Sequence, residues 1–129
     1  MTWKSFHNRG EILRTVIATA DDRQDGILPM DVAGVAETFG DELALLGALQ
    51  LRWHTRLAGR IEHEIMRHPD EQEAAAQDAW QQTAGELPGV RAIIDHYTEH
   101  PLDETMARAT RVAAAKEQAL LGRYGTLVA

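Results

Sequence analysis

Residues 41–68 read DELALLGALQLRWHTRLAGRIEHEIMRH, and no proline interrupts them until Pro69. Within this stretch Leu43, Leu46, Leu49, Trp53, Leu57, Ile61 and Ile65 recur at steps of three and four residues, the repeat of one face of an α-helix. Asp41 is a natural N-cap and Gly40, just before it, can close a preceding helix. At about 1.5 Å per residue such a helix is ~42 Å long, whereas a compact chain of 129 residues should measure about 36 Å across. The stretch therefore predicts an elongated bundle, or a helix whose overhang meets another subunit.

Outward from this helix the punctuation is supplied by Pro29, Pro69, Pro88 and Pro101, each placed where a new helix can start. A first helix is expected over about 8–22, beginning near residue 3 if Trp3 and Phe6 continue the stripe of Ile12, Leu13, Val16, Ile17 and Ala20. DDRQDGILP reads as the loop that follows, with Asp25-Gly26 as its turn. Further helices are predicted over about 29–39, 70–84, 88–99 and 102–122, the last rich in alanine, which permits close helix approach. No stretch alternates with the period of a strand. The fold expected is all-α: one domain, residues 1–129, of five or six helices around residues 41–68. The core or dimer interface is predicted to contain Trp3, Leu13, Val16, Ile17, Phe39, Leu46, Leu49, Trp53, Leu57, Ile61, Trp80, Ile93, Ile94 and Tyr97.

Composition narrows the function classes. Cysteine is absent, which removes disulfides, thiolate metal sites and cysteine nucleophiles. No apolar run approaches the ~20 residues of a membrane helix, and the N-terminus lacks a signal-peptide core, so a cytoplasmic protein away from membranes is expected. The net charge of −7 makes nucleic acid an unfavourable partner. That charge is uneven: residues 69–104 carry −8 while residues 41–68 sum to zero and residues 105–129 to +3.

The stretch HEIMRH at 63–68 is a near miss to the zinc-hydrolase helix H-E-x-x-H. Its histidines, His63 and His68, are five positions apart, which turns a helix by about 500° and separates the side chains by about 140°. They cannot share one metal on a regular helix. No phosphate-binding glycine loop, dinucleotide fingerprint or nucleophile elbow occurs, and Ser5 is the only serine. The DDRQD acids lack the alternating ligands of a calcium loop.

Three groups of residues remain as candidates. Gln50, His54, Glu64 and His68 project to the apolar side of the long helix, where a polar group needs a partner, and form the candidate pocket. His96 and His100 have the i,i+4 spacing that lets two imidazoles bind one metal, as do His7 and Glu11, with His54 a conceivable further ligand. A divalent metal is the one cofactor these residues could hold; no organic cofactor is predicted. On the opposite face Arg52, Arg56, Arg60, His63 and Arg67 form a basic ladder. It is expected either to pair across a helical hairpin with Asp70, Glu71, Glu73 and Asp78 or to receive an anion or acidic partner.

The reading that follows is a non-enzymatic helical interaction or regulatory protein that self-associates, as a homodimer or with another protein. The alternative is a small bundle enzyme or ligand- or metal-binding protein with a polar pocket around His54. Residues 31–57 also allow a helix-turn-helix reading, although the second helix is far longer than a recognition helix needs.

Overall fold

The computed structural model describes residues 3–125, with side chains from Asn8 onward. The described residues form six helices and no strand: α1 (Trp3–Arg23), α2 (Val35–Phe39), α3 (Glu42–Arg67), α4 (Gln72–Glu86), α5 (Pro88–Glu99) and α6 (Glu104–Gly122). The expected side chains Trp3 and His7 lie outside those described. None of the described helices is long and apolar enough to cross a membrane.

Local chemistry sets most boundaries. The Asp41 carboxylate accepts from the backbone N–H of Ala44 at 2.9 Å, and Asp103 does the same for Met106 at 2.8 Å, so α3 and α6 begin at aspartate N-caps. Pro88 opens α5, where its missing N–H costs nothing. The helix expected over 29–39 is reduced to Val35–Phe39. Gly34 at φ 88° takes the left-handed conformation, and residues before it make tight turns such as Val32 N–H to Pro29 O. A side chain at Gly34 would also meet Ile12 of α1, 2.8 Å from its Cδ1.

Helix α3 is buried along most of its length: Leu45, Leu46, Leu49, Trp53, Leu57, Ile61 and Glu64 are all inaccessible. Helix α4 folds back beside it as an antiparallel hairpin, burying Ala75, Ala76, Ala79 and Thr83, while α1 packs chiefly on α5. The length of α3 is therefore occupied within one chain, by α2 at its start and α4 beyond, and does not of itself require a second subunit. Ten of the expected core residues are buried, and Leu13, Ile17 and Trp80 pack partly buried against them. The core also takes in Leu28, Val35, Leu45, Val90, Met106, Leu120 and Leu121. Leu28 sits in the irregular loop after α1, and its N–H donates to the buried Tyr97 hydroxyl at 3.1 Å. Arg23 grips Asp31 with two hydrogen bonds of 2.8 and 2.7 Å across the same loop.

The tightest helix contact is made by a glycine. At Gly89 a Cβ would stand 2.4 Å from the backbone carbon of Ala20 and 2.5 Å from the nitrogen of Asp21. This allows the start of α5 to lie on the α1 backbone, and the Gly89 N–H donates to the Asp21 carboxylate at 2.9 Å. Asp21 thus caps a helix to which it does not belong. Gly89→Ala should lower the unfolding free energy by about 1–3 kcal/mol, because both neighbours are rigid backbone. Gly59→Ala, in the middle of α3 with open space around its Cβ, should instead raise it by about 0.5–1 kcal/mol. Urea denaturation of the two variants measures both.

Candidate functional site

Helices α3, α5 and α6 enclose a cleft of about 450 Å³, within the range of small-ligand sites. Its α3 wall is Gly47, Gln50, Leu51, Trp53 and His54, four of which follow the helical step that brings polar residues beside the apolar stripe. Ile94 and Thr98 come from α5. The α6 wall includes Ala109, Ala113 and Ala114, whose short side chains leave the volume between the helices unfilled. Its alanines permit close approach without requiring it. In the structure α6 contacts α3 less extensively than α4 does, and its alanines face a gap.

The floor of the cleft is a compact polar cluster. Arg91 of α5, with its side chain 16% exposed, lies 4.6 Å from the ring centre of Trp53 and 5.5 Å from that of Trp80. The two indoles meet edge to face at 5.7 Å. Arg91 donates to Asp95, one turn on, at 2.5 Å, and to Glu117 of α6 at 2.9 Å. Burial opposes the charge on Arg91, but hydrogen bonding to Asp95 and the fields of Glu117 and Asp95 outweigh it, and its pKa lies above the ordinary guanidinium value. Glu117 also accepts from Trp53 Nε1 at 2.5 Å, so one carboxylate joins α6 to both α3 and α5.

Gln50 differs from this satisfied cluster. Its Nε2 is buried without a hydrogen-bond partner, although the residue lines the cleft. Trp80 Nε1 is likewise buried and unpaired, behind Arg91. An unpaired buried donor costs roughly 1–3 kcal/mol, so Gln50 is a costly residue to keep there for packing alone. Leu51 and Val112, 65% and 63% exposed, form apolar lips on opposite sides of the opening. His54 stands between this cleft and a smaller one of about 260 Å³ formed with Glu62, Lys116, Arg123 and Tyr124.

The pocket expected from the sequence is divided by the fold. Gln50 and His54 reach the cleft, but Glu64 is buried further along α3, 3.7 Å from Arg67, and His68 is exposed at the end of that helix. The metal candidates are also separated. The His96 and His100 rings are 5.3 Å apart, on α5 and at its C-cap, where the His96 Cβ faces the Gly26 turn, whereas His54 faces α6. No group of three or more His, Asp or Glu in metal-binding arrangement occurs among the described residues, and His7 lies outside the described side chains, away from any test with Glu11.

Two rungs of the basic ladder, Arg56 and Arg60, pair within the hairpin, with a different acid from the four expected. Glu86, at the end of α4, accepts from Arg56 at 2.8 Å and also pairs with Arg60. Antiparallel packing places the end of α4 opposite these arginines, while Asp70, Glu71, Glu73 and Asp78 run beside the other end of α3. Arg52, Arg56, Arg60 and His63 line an open depression of about 570 Å³ on this face.

Arg91, Glu117, Arg108 and Lys116 were not recognised as site residues in the sequence. Arg91 could have been suspected as the lone cation among the nine acids of residues 69–104. Glu117 had no local signal, since its partners are 26 and 64 positions away. No family model, curated protein or solved structure gives a significant match to this chain. Glu117→Ala should cost roughly 2 kcal/mol, the loss of charge-assisted hydrogen bonds to Arg91 and Trp53. Glu117→Gln, which retains an acceptor oxygen, should cost clearly less; paired thermal melts of the two variants test the comparison.

Proposed function

We propose that the protein is a small-ligand binder that holds an amphipathic molecule in the α3–α5–α6 cleft, without catalysing a reaction. The single observation that carries this reading is Gln50 Nε2, a buried donor without a hydrogen-bond partner, on a residue that lines a cleft of ligand size. Ligand sites combine an apolar wall with a few polar groups that fix orientation, and Gln50 supplies an unused one. His54, at the back of the same wall, is a second polar contact of the right placement.

Self-association is the second reading, supported by the exposed Leu51 and Val112 at the cleft mouth. A partner copy seated on those lips would bury apolar surface that water now covers. Native mass spectrometry of untagged protein distinguishes the two, since it reads subunit count and bound mass together. A monomer carrying a retained small molecule supports ligand binding; a bare dimer supports association.

The direct test uses N-phenyl-1-naphthylamine, an uncharged fluorescent apolar probe. Saturable binding of one probe per chain is expected. Gly47→Trp should remove it, because the Cβ position at Gly47 opens into empty space and an indole there would fill the cleft. Circular dichroism should show the fold intact. Probe binding that is absent, or unchanged by Gly47→Trp, would sink the reading.

Gln50→Leu separates binding from stability. Replacing the unpaired amide with an apolar side chain of similar size should leave stability unchanged or raise it by up to about 1 kcal/mol. A fall of more than that in urea denaturation would mean that the amide has a structural partner.

A further inference from the structure

The charges around the cleft say which amphipathic molecules it suits. In a chain of net charge −7 the described residues lining this cleft include Arg91, Arg108 and Lys116 but only one carboxylate, Glu117. Arg91 is already neutralised by Glu117 below and Asp95 behind. The remaining cations of the cleft are Arg108 and Lys116, both on α6 and both exposed at the rim, with Lys116 also bordering the smaller cleft that contains Glu62. Between them, two turns apart along α6, lie the alanines and Val112 of the apolar wall. Across the gap on α3, Gln50 lines the same cleft, with its Nε2 buried and unpaired. Two cations beside an apolar slot favour an occupant with negative charge.

We infer that the ligand is an amphipathic carboxylate in its free, monomeric form, its apolar body against Ile94, Leu51 and Val112 and its head group at the cationic rim that α6 supplies. This assignment rests on the cleft being a ligand site, and it adds the charge and chemical class of the occupant. An uncharged ligand would leave Arg108 and Lys116 without use, and a cationic one would be repelled by both. Glu117 does not serve a cationic ligand, because its carboxylate already accepts from Arg91 and Trp53.

The experiment is displacement of the naphthylamine probe from the intact chain by three ligands with the same ten-carbon body: decanoate, decanol and decyltrimethylammonium. Decanoate should bind about tenfold tighter than decanol, the gain of one charge-assisted hydrogen bond, and decyltrimethylammonium should bind weakest. Raising the salt concentration should narrow the difference, since the rim is exposed to solvent. In Arg108→Ala/Lys116→Ala, decanoate should lose about tenfold and decanol should be unaffected. In Glu117→Gln, removal of the one lining carboxylate should tighten decanoate and not decanol. The double variant changes exposed rim residues, whereas Glu117→Gln changes the buried tie but keeps an acceptor oxygen for Trp53 and Arg91; circular dichroism checks that both fold.

Equal binding of all three ligands, or an equal loss of all three in the double variant, would overturn the carboxylate assignment while leaving the cleft a ligand site. Failure of the probe itself to bind would remove both readings. Vesicles of phosphatidylglycerol separate the source of the anion: the chain should remain in the supernatant when they are sedimented. Co-sedimentation that Arg108→Ala/Lys116→Ala abolishes would place the anion in a bilayer, against the free ligand inferred here.

Discussion

A guanidinium packed against two indoles, out of reach of most water, is stable only if its charge is met at close range. Arg91 is that group, and the way its charge is met organises the rest of the bundle. Asp95 is supplied by the same helix, so it adds no tertiary constraint. Glu117 comes from α6 and is shared with Trp53 of α3, so its position ties three helices at one point. The desolvation of such a charge cancels much of the Coulomb gain, which makes the pair as a whole a weak source of net stability, while removing one partner leaves the other buried and unmet. Helices that could slide along apolar faces are held in one register by a bond that tolerates little displacement.

That single tie explains how a cleft survives in so small a chain. Apolar packing alone would draw α6 onto α3 until the gap closed. Residues Ala109, Ala113 and Ala114 offer too little side chain to fill the space, and the Glu117 bond, together with buried Met106 at one end of α6 and Leu120 and Leu121 at the other, sets the separation. The gap is bounded by well-packed structure at both ends, which distinguishes it from a frayed edge. The same wall carries Gln50, whose burial without a partner is a standing cost. A cleft bounded by small residues and lined by Gln50 is the feature on which the proposed ligand binding rests.

Much of the fold could be read from residue order because its signals are local. Helix starts follow from Asp41, Asp103 and Pro88, and the buried face of α3 follows from the three- and four-residue repeat of its leucines and isoleucines. The reading failed over 29–39, where Gly34 at φ 88° and the turns around Pro29 prevent a continuous helix that the apolar spacing alone suggested. It also misplaced the counter-charge of the arginine ladder. The acids nearest in sequence, from Asp70 to Asp78, were the natural choice, but an antiparallel hairpin reverses that order and delivers Glu86 to Arg56 and Arg60. The length of α3 suggested an overhang, yet its neighbours cover it from Leu45 to Glu64.

The candidate site divides in the same way. From the sequence alone Gln50 and His54 were identifiable as polar residues on an apolar helical face, because that property depends only on a helix periodicity of 3.6 residues. The sequence likewise determined the all-α class, the long third helix and the absence of cysteine chemistry. Only the tertiary structure separated Glu64 and His68 from Gln50 and His54, and parted His54 from His96 and His100. It alone brought Arg91, Glu117 and the α6 cations to the cleft. Those relations depend on where helices distant in sequence come to lie, which is decided by packing volumes, by the Gly89 contact with the α1 backbone and by one carboxylate shared between an arginine and a tryptophan.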